Sequence, residues 1–216
     1  EDPYCADVGI RGEKIAAIGN LNTDGANVIE AAGLSLMPGI IDVHTHYDAQ
    51  ITWDPTLSPS PSMGVTTAVM GNCGFGIVPC PPEHQEIMLK NLSVVEGMNL
   101  KTLLEGTQWK FETFPEYIKY LDEQRPHANV AVLIGHSAVR TAVMGSESST
   151  RINPTEAELD AMSFIVDEAL AHGAIGFASS FSPNHSGYGG RPMPSTIAKD
   201  EELYALLDPI KKRNGV

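Results

Sequence analysis

Ile40-Ile41-Asp42-Val43-His44-Thr45-His46 is an apolar run that closes on two imidazoles, and its reading decides the fold. The breaker Pro38-Gly39 precedes it, and its β-branched residues predict a buried strand over residues 40–44. Side chains two apart in a strand share a face, so His44 and His46 are presented together at its C-terminal end. A doubly wound dinucleotide fold would carry a glycine-rich fingerprint at this point, and His-Thr-His stands there instead.

Working outward, three more apolar runs read as strands at 65–70, 129–135 and 174–177, with helices expected at 83–92, 114–123, 154–171 and 200–212. Strands alternating with helices predict an α/β fold, here about four βα units of a partial (β/α)8 TIM-like barrel, whose chemistry gathers at the C-terminal strand ends. Thr155 followed by Glu156 and Glu158 places negative charge at the start of the third helix, where the helix dipole favours it. Ahead of the barrel, residues 7–10 and 14–18 flank Arg11-Gly12-Glu13 as a hairpin, and short strands are expected at 27–30 and 34–37. That unit is too thin to hold a core of its own. The expected division is therefore 1–37 as part of a small β-sandwich domain and 38–216 as the first half of the barrel.

Fourteen Lys and Arg against 27 Asp and Glu give a net charge of -13, which argues against a nucleic-acid backbone or an anionic membrane as partner. The acidic residues are scattered and read as a solvated surface. Three cysteines, Cys5, Cys73 and Cys80, do not make a disulfide framework, so a reducing cytoplasm is the expected compartment. No apolar run approaches the roughly 18 residues that a membrane span requires. Residue 1 is not Met, and the last residues follow directly on an expected helix, so a piece of a longer protein is expected.

A lone histidine at a strand end is ordinarily a hydrogen-bonded residue, but the His44 and His46 pair, with Asp42 before it and Asp48 after it, points to a metal. Cys73 lies past the second strand in Gly71-Asn72-Cys73-Gly74-Phe75-Gly76, where glycines let a tight loop carry a thiolate toward the first strand's end. Zinc accepts such mixed donors; the competing reading of Cys73 is a small buried hydrophobe. His136 and Arg140 follow the third strand and are candidates for substrate binding, Arg140 through its planar fork of donors. Two other readings stand beside that one: His136 as a partner of a neighbouring loop, and Arg140 on a helix surface. Ser180 and His185, in the loop after the fourth strand, are further candidates for substrate contact. His84, His127 and His172 read as surface residues, and Cys5 and Cys80 have no ligand-like neighbours.

Four stretches together resemble the D-aminoacylases, or N-acyl-D-amino-acid deacylases, of the amidohydrolase superfamily. They are Met37-Pro-Gly-Ile-Ile-Asp-Val-His-Thr-His-Tyr-Asp-Ala-Gln50, Gly64-Val-Thr-Thr, Gly71-Asn-Cys-Gly-Phe75 and Ile134-Gly-His-Ser-Ala-Val-Arg140. The first marks the broad superfamily, and the Gly-Asn-Cys-Gly element is the more specific. The resemblance implies zinc ligation by His44, His46 and Cys73, with Cys73 where many relatives use a carboxylated lysine. It also implies further histidine ligands, and a general-base aspartate, beyond Val216. The implied activity is hydrolysis of N-acyl-D-amino acids, small-molecule substrates, by a zinc-activated water. Rival readings are a hydantoinase-like cyclic-amide hydrolase and a non-catalytic metal-binding half barrel. Gly176-Phe-Ala-Ser-Ser180 contains no lysine, which counts against the first rival.

Overall fold

The structure is a computed structural model that describes residues 4–213. The chain divides into two compact units, the second beginning at Gly39. In the first, strands β1 (Asp7–Arg11) and β2 (Lys14–Gly19) pair antiparallel, and the Asp7 carboxylate accepts from the Leu21 N–H at 3.0 Å. None of the described residues of this unit is buried. The strands expected at 27–30 and 34–37 do not form. A strand needs a ladder partner for its backbone groups, and this stretch instead folds on local turns, Thr23 to Ala26 and Ala31 to Leu34.

The second unit is built on a parallel sheet of β3 (Ile40–Asp42), β4 (Val65–Met70), β5 (Asn129–Gly135) and β6 (Gly176–Ala178). The strands lie side by side in chain order, β3-β4-β5-β6, and curl into half of a barrel. A doubly wound sheet would reverse that order partway across; this one does not. Helices α1 (Gln85–Val95), α2 (Leu100–Gly106) and α3 (Phe114–Gln124) lead from β4 to β5. Between β5 and β6 run α4 (His136–Met144) and α5 (Glu156–Ala171), and α6 (Asp200–Arg213) follows β6. Among the described residues, no helix is long and apolar enough to cross a membrane.

Helical spacing explains the packing. Met162, Val166 and Ala169 of α5 recur on one face and are fully buried, as are Phe114 and Tyr117 of α3. They join Ala68 and Met70 of β4, Ile134 of β5 and Leu206 of α6 in one apolar cluster. Two helices are started by reciprocal caps, Thr113 with Glu116 for α3 and Thr155 with Glu158 for α5. Each cap satisfies backbone donors that the first helical turn leaves free.

Three local expectations need correction. The first barrel strand ends at Asp42, so His44 and His46 lie beyond it rather than on its face. The last strand is displaced from 174–177 to Gly176–Ala178. Two helices, α2 and α4, were not expected; α4 begins at His136, the residue immediately after β5.

Candidate metal centre

The segment after β3 is fastened to the end of β4. Thr45 donates both its N–H, at 3.0 Å, and its hydroxyl, at 2.7 Å, to the Val69 carbonyl. Asn72 adds its amide, which donates to Val69 at 2.9 Å and to the Thr45 carbonyl at 3.4 Å. Thr45 is buried by this anchoring, and the imidazoles on either side of it are left near each other, ring centroids 5.2 Å apart.

Cys73 arrives by a constrained turn. Gly71 has φ +81°, and a Cβ there would stand 2.0 Å from the Leu133 carbonyl oxygen; at Gly74, φ +75°, one would stand 2.9 Å from the Ala178 oxygen. The loop thus crosses the ends of β5 and β6 at a height only glycine permits. Between the two, Cys73 itself takes φ +57°, a left-handed conformation that costs a side-chain-bearing residue about 1–2 kcal/mol. Strain of this kind persists where the surroundings fix a side chain for a purpose.

The outcome is a cluster in which one donor atom from each of His44, His46 and Cys73 lies within 4.8 Å of the others. The Cys73 Sγ is 3.3 Å from the His44 Nε2. Two ligands on one zinc ion at ordinary bond lengths and a tetrahedral angle stand about 3.5 Å apart, so this donor pair fits zinc without rearrangement. Soft sulfur beside two imidazoles is also a donor set zinc accepts.

The electrostatics around the cluster are those of a half-enclosed site. Burial first, then the neighbouring His44 and His185, hold His46 below its ordinary range and favour the neutral, ligating form. Burial, with Glu96 adding to it, raises the Cys73 thiol. Burial likewise pushes the carboxyls of Asp48 and Glu96 up to about 7. A dication would favour the thiolate and the charged carboxylates.

Ser180 and His185 approach the same place. The Ser180 hydroxyl and His185 Nδ1 are 2.8 Å apart, and His185 packs edge-on against Phe75 at 5.0 Å between centroids. Phe75 in turn stacks on His46 at 6.1 Å. The loop carrying them is strapped down at its far end: Ser195 donates its hydroxyl to the Ser180 carbonyl at 2.9 Å and its N–H to the Ser137 hydroxyl at 3.1 Å.

His136 and Arg140 are engaged inside the protein. Both are fully buried. The His136 ring nitrogens meet Ser179 and Glu202, each at 2.8 Å. Arg140 is paired with Glu202 and donates to the carbonyls of Ser148 at 2.9 Å, Ile152 at 3.1 Å and Arg151. A guanidinium so engaged has no exposed face to offer a substrate carboxylate. Burial alone would raise the Glu202 carboxyl, but the hydrogen bonds and charges of His136 and Arg140 outweigh it and hold it low. Of the remaining candidates, Cys80 is buried against Met88 and Ala138, His127 and His172 are exposed, and His84 is half-buried. Glu96, Phe75, Ser137, Ser195 and Glu202 were not singled out as site residues; each acts through a contact distant in sequence that no local pattern announces.

The amidohydrolase family profile matches residues 27–205. The chain is 33% identical to D-aminoacylase of Alcaligenes xylosoxydans xylosoxydans and 34% identical to N-acyl-D-aspartate deacylase of the same organism. Those alignments cover 98% and 97% of this chain but only 39% and 38% of the relatives. Among solved structures, N-acyl-D-glutamate deacylase from Bordetella bronchiseptica, complexed with zinc and a phosphonate inhibitor, superposes with a TM-score of 0.75 at 32% identity. That match covers 98% of this chain and 40% of the other. The chain therefore spans well under half the length of the proteins it resembles, and by sequence and fold alike it belongs to the amidohydrolase family.

Proposed function

We propose that the protein hydrolyses the amide bond of N-acyl-D-amino acids at a zinc centre to which His44, His46 and Cys73 contribute. The observation that carries this reading is the convergence of two imidazoles and one sulfur, with donor atoms within 4.8 Å of one another. When bound there, zinc supplies Lewis-acid activation of the acyl carbonyl and of water. The chain's own residues supply the surroundings. Neutral His46 and the Cys73 sulfur offer lone pairs, Phe75 lends an apolar face beside His46, and His185, which meets the Ser180 hydroxyl and packs on Phe75, is the group assigned to the amide. We assign substrate contact to Ser180 and His185; His136 and Arg140, buried and fully engaged, serve the scaffold.

Metal analysis of the purified protein, paired with hydrolysis of N-acetyl-D- and N-acetyl-L-amino acids and of hydantoins, tests the proposal. Bound zinc and turnover of the D series are expected, both abolished by Cys73→Ala. Absence of zinc, or turnover confined to hydantoins, would overturn it.

A further inference from the structure

Glu96 caps the C-terminal end of α1, where its backbone N–H donates to Leu92. Its carboxylate is largely buried, and Oε1 lies 3.1 Å from His46 Nδ1. That nitrogen is itself buried and makes no hydrogen bond, although the Glu96 carboxylate stands within reach of it. Among the described residues, the Glu96 carboxylate makes no side-chain hydrogen bond elsewhere, and no other ion pair involves it. Two polar groups that would each be costly to leave alone thus face one another. Glu96 is also not one of the residues whose donor atoms cluster within 4.8 Å, so it stands behind the ring and outside the ligand set.

We propose that Glu96 is the positioning residue of the centre: it accepts from His46 Nδ1–H, fixes that tautomer, and leaves Nε2 as the nitrogen with a free lone pair. A ring nitrogen is chosen as donor by the hydrogen bond its opposite nitrogen makes, and a carboxylate behind the imidazole also raises its basicity as a ligand. The inference rests on the reading of His46 as a metal ligand, so it is tested in two ways, one of which needs no metal.

Zinc affinity is measured by competition with a chromophoric chelator for the parent protein, Glu96→Ala and Glu96→Gln. The His46 tautomer is read in the metal-free proteins from ring 15N shifts, assigned against His46→Asn. Glu96→Ala should bind zinc about 10- to 100-fold more weakly, while Glu96→Gln, which keeps an acceptor oxygen, retains most of the affinity. In the metal-free parent, His46 should carry its proton on Nδ1, and Glu96→Ala should lose that preference. A folded Glu96→Ala with unchanged affinity, or a parent whose His46 proton sits on Nε2, overturns the inference. A parent that binds no zinc yet shows the Nδ1–H tautomer defeats the metal-centre reading and leaves the positioning contact standing. Should Glu96→Ala fail to fold, the parent tautomer alone decides.

Discussion

Replacing Glu202 by Gln removes one negative charge from a site where it faces two partners. Glu202 is 2% exposed and Arg140 fully buried, so neither water nor a mobile counter-ion replaces what is lost. Breaking a buried pair by removing one partner costs about 3–5 kcal/mol. The lower end applies here, because the Arg140 guanidinium keeps the carbonyls of Ser148, Arg151 and Ile152, and because glutamine still offers an oxygen. A loss of about 3 kcal/mol corresponds to a melting temperature lower by about 6–12 °C in a domain of this size. Thermal melts at neutral pH measure it directly. The pH dependence checks the cause. The Glu202 carboxyl is held below its ordinary value of 4.5, so its stabilisation is complete above that pH and is lost as the pH falls through the lower, folded-state value. Parent and variant should therefore converge in acid. Combining Glu202→Gln with Arg140→Met should recover part of the loss, since the stranded charge goes with it. A melting temperature changed by less than about 2 °C, a gap that does not close in acid, or strictly additive costs in the double variant would refute the reasoning.

Three other outcomes follow from the same geometry. Gly71→Ala forces a side chain into the left-handed region and onto the Leu133 carbonyl; it should cost more than about 2 kcal/mol in denaturant titrations and weaken zinc binding by displacing Cys73. Thr155→Ala removes the cap of α5 and should cost about 1 kcal/mol, seen as a melting temperature lower by about 2–4 °C. The Glu158 carboxyl, held down to about 2 chiefly by Arg151 and then by the Thr155 N–H, steadies the first turn of α5. That contribution is present above 4.5 and is lost as the pH falls toward 2, so amide exchange in this turn should quicken there, once corrected for intrinsic rates, and should not in Glu158→Gln.

What the sequence made legible was whatever is written in local pattern. The uninterrupted apolar runs of β4 and β5 and the Thr–Glu cap of α5 signal their own elements, and His-Thr-His, standing where a glycine-rich fingerprint would, chooses a barrel over the doubly wound sheet that strand–helix alternation also allows. α4 is hard to read because its N-cap, Gly135, carries no capping side chain and is also the last residue of β5, so strand runs directly into helix. At 27–30 and 34–37 the apolar residues matched strand spacing, but pairing is a property of two segments and cannot be read from one. The metal-ligand candidates were visible because His44 and His46 are neighbours and Cys73 sits in a glycine-marked turn. The Arg140 pairing with Glu202 cannot be read locally, because Glu202 lies 62 residues further along the chain.

The strap that carries His185 is a hairpin held at several points. Ser180 and Ser195 join its base, the His185 carbonyl accepts from Met193, and the Tyr188 N–H donates to Asn91 of α1. Gly189 and Gly190 at its tip are exposed, with open space where side chains would stand. Extra residues grafted between these two glycines would reach new volume while the anchored imidazole stays where it is. The tip can thus change in length without disturbing the contacts that hold His185 against Phe75.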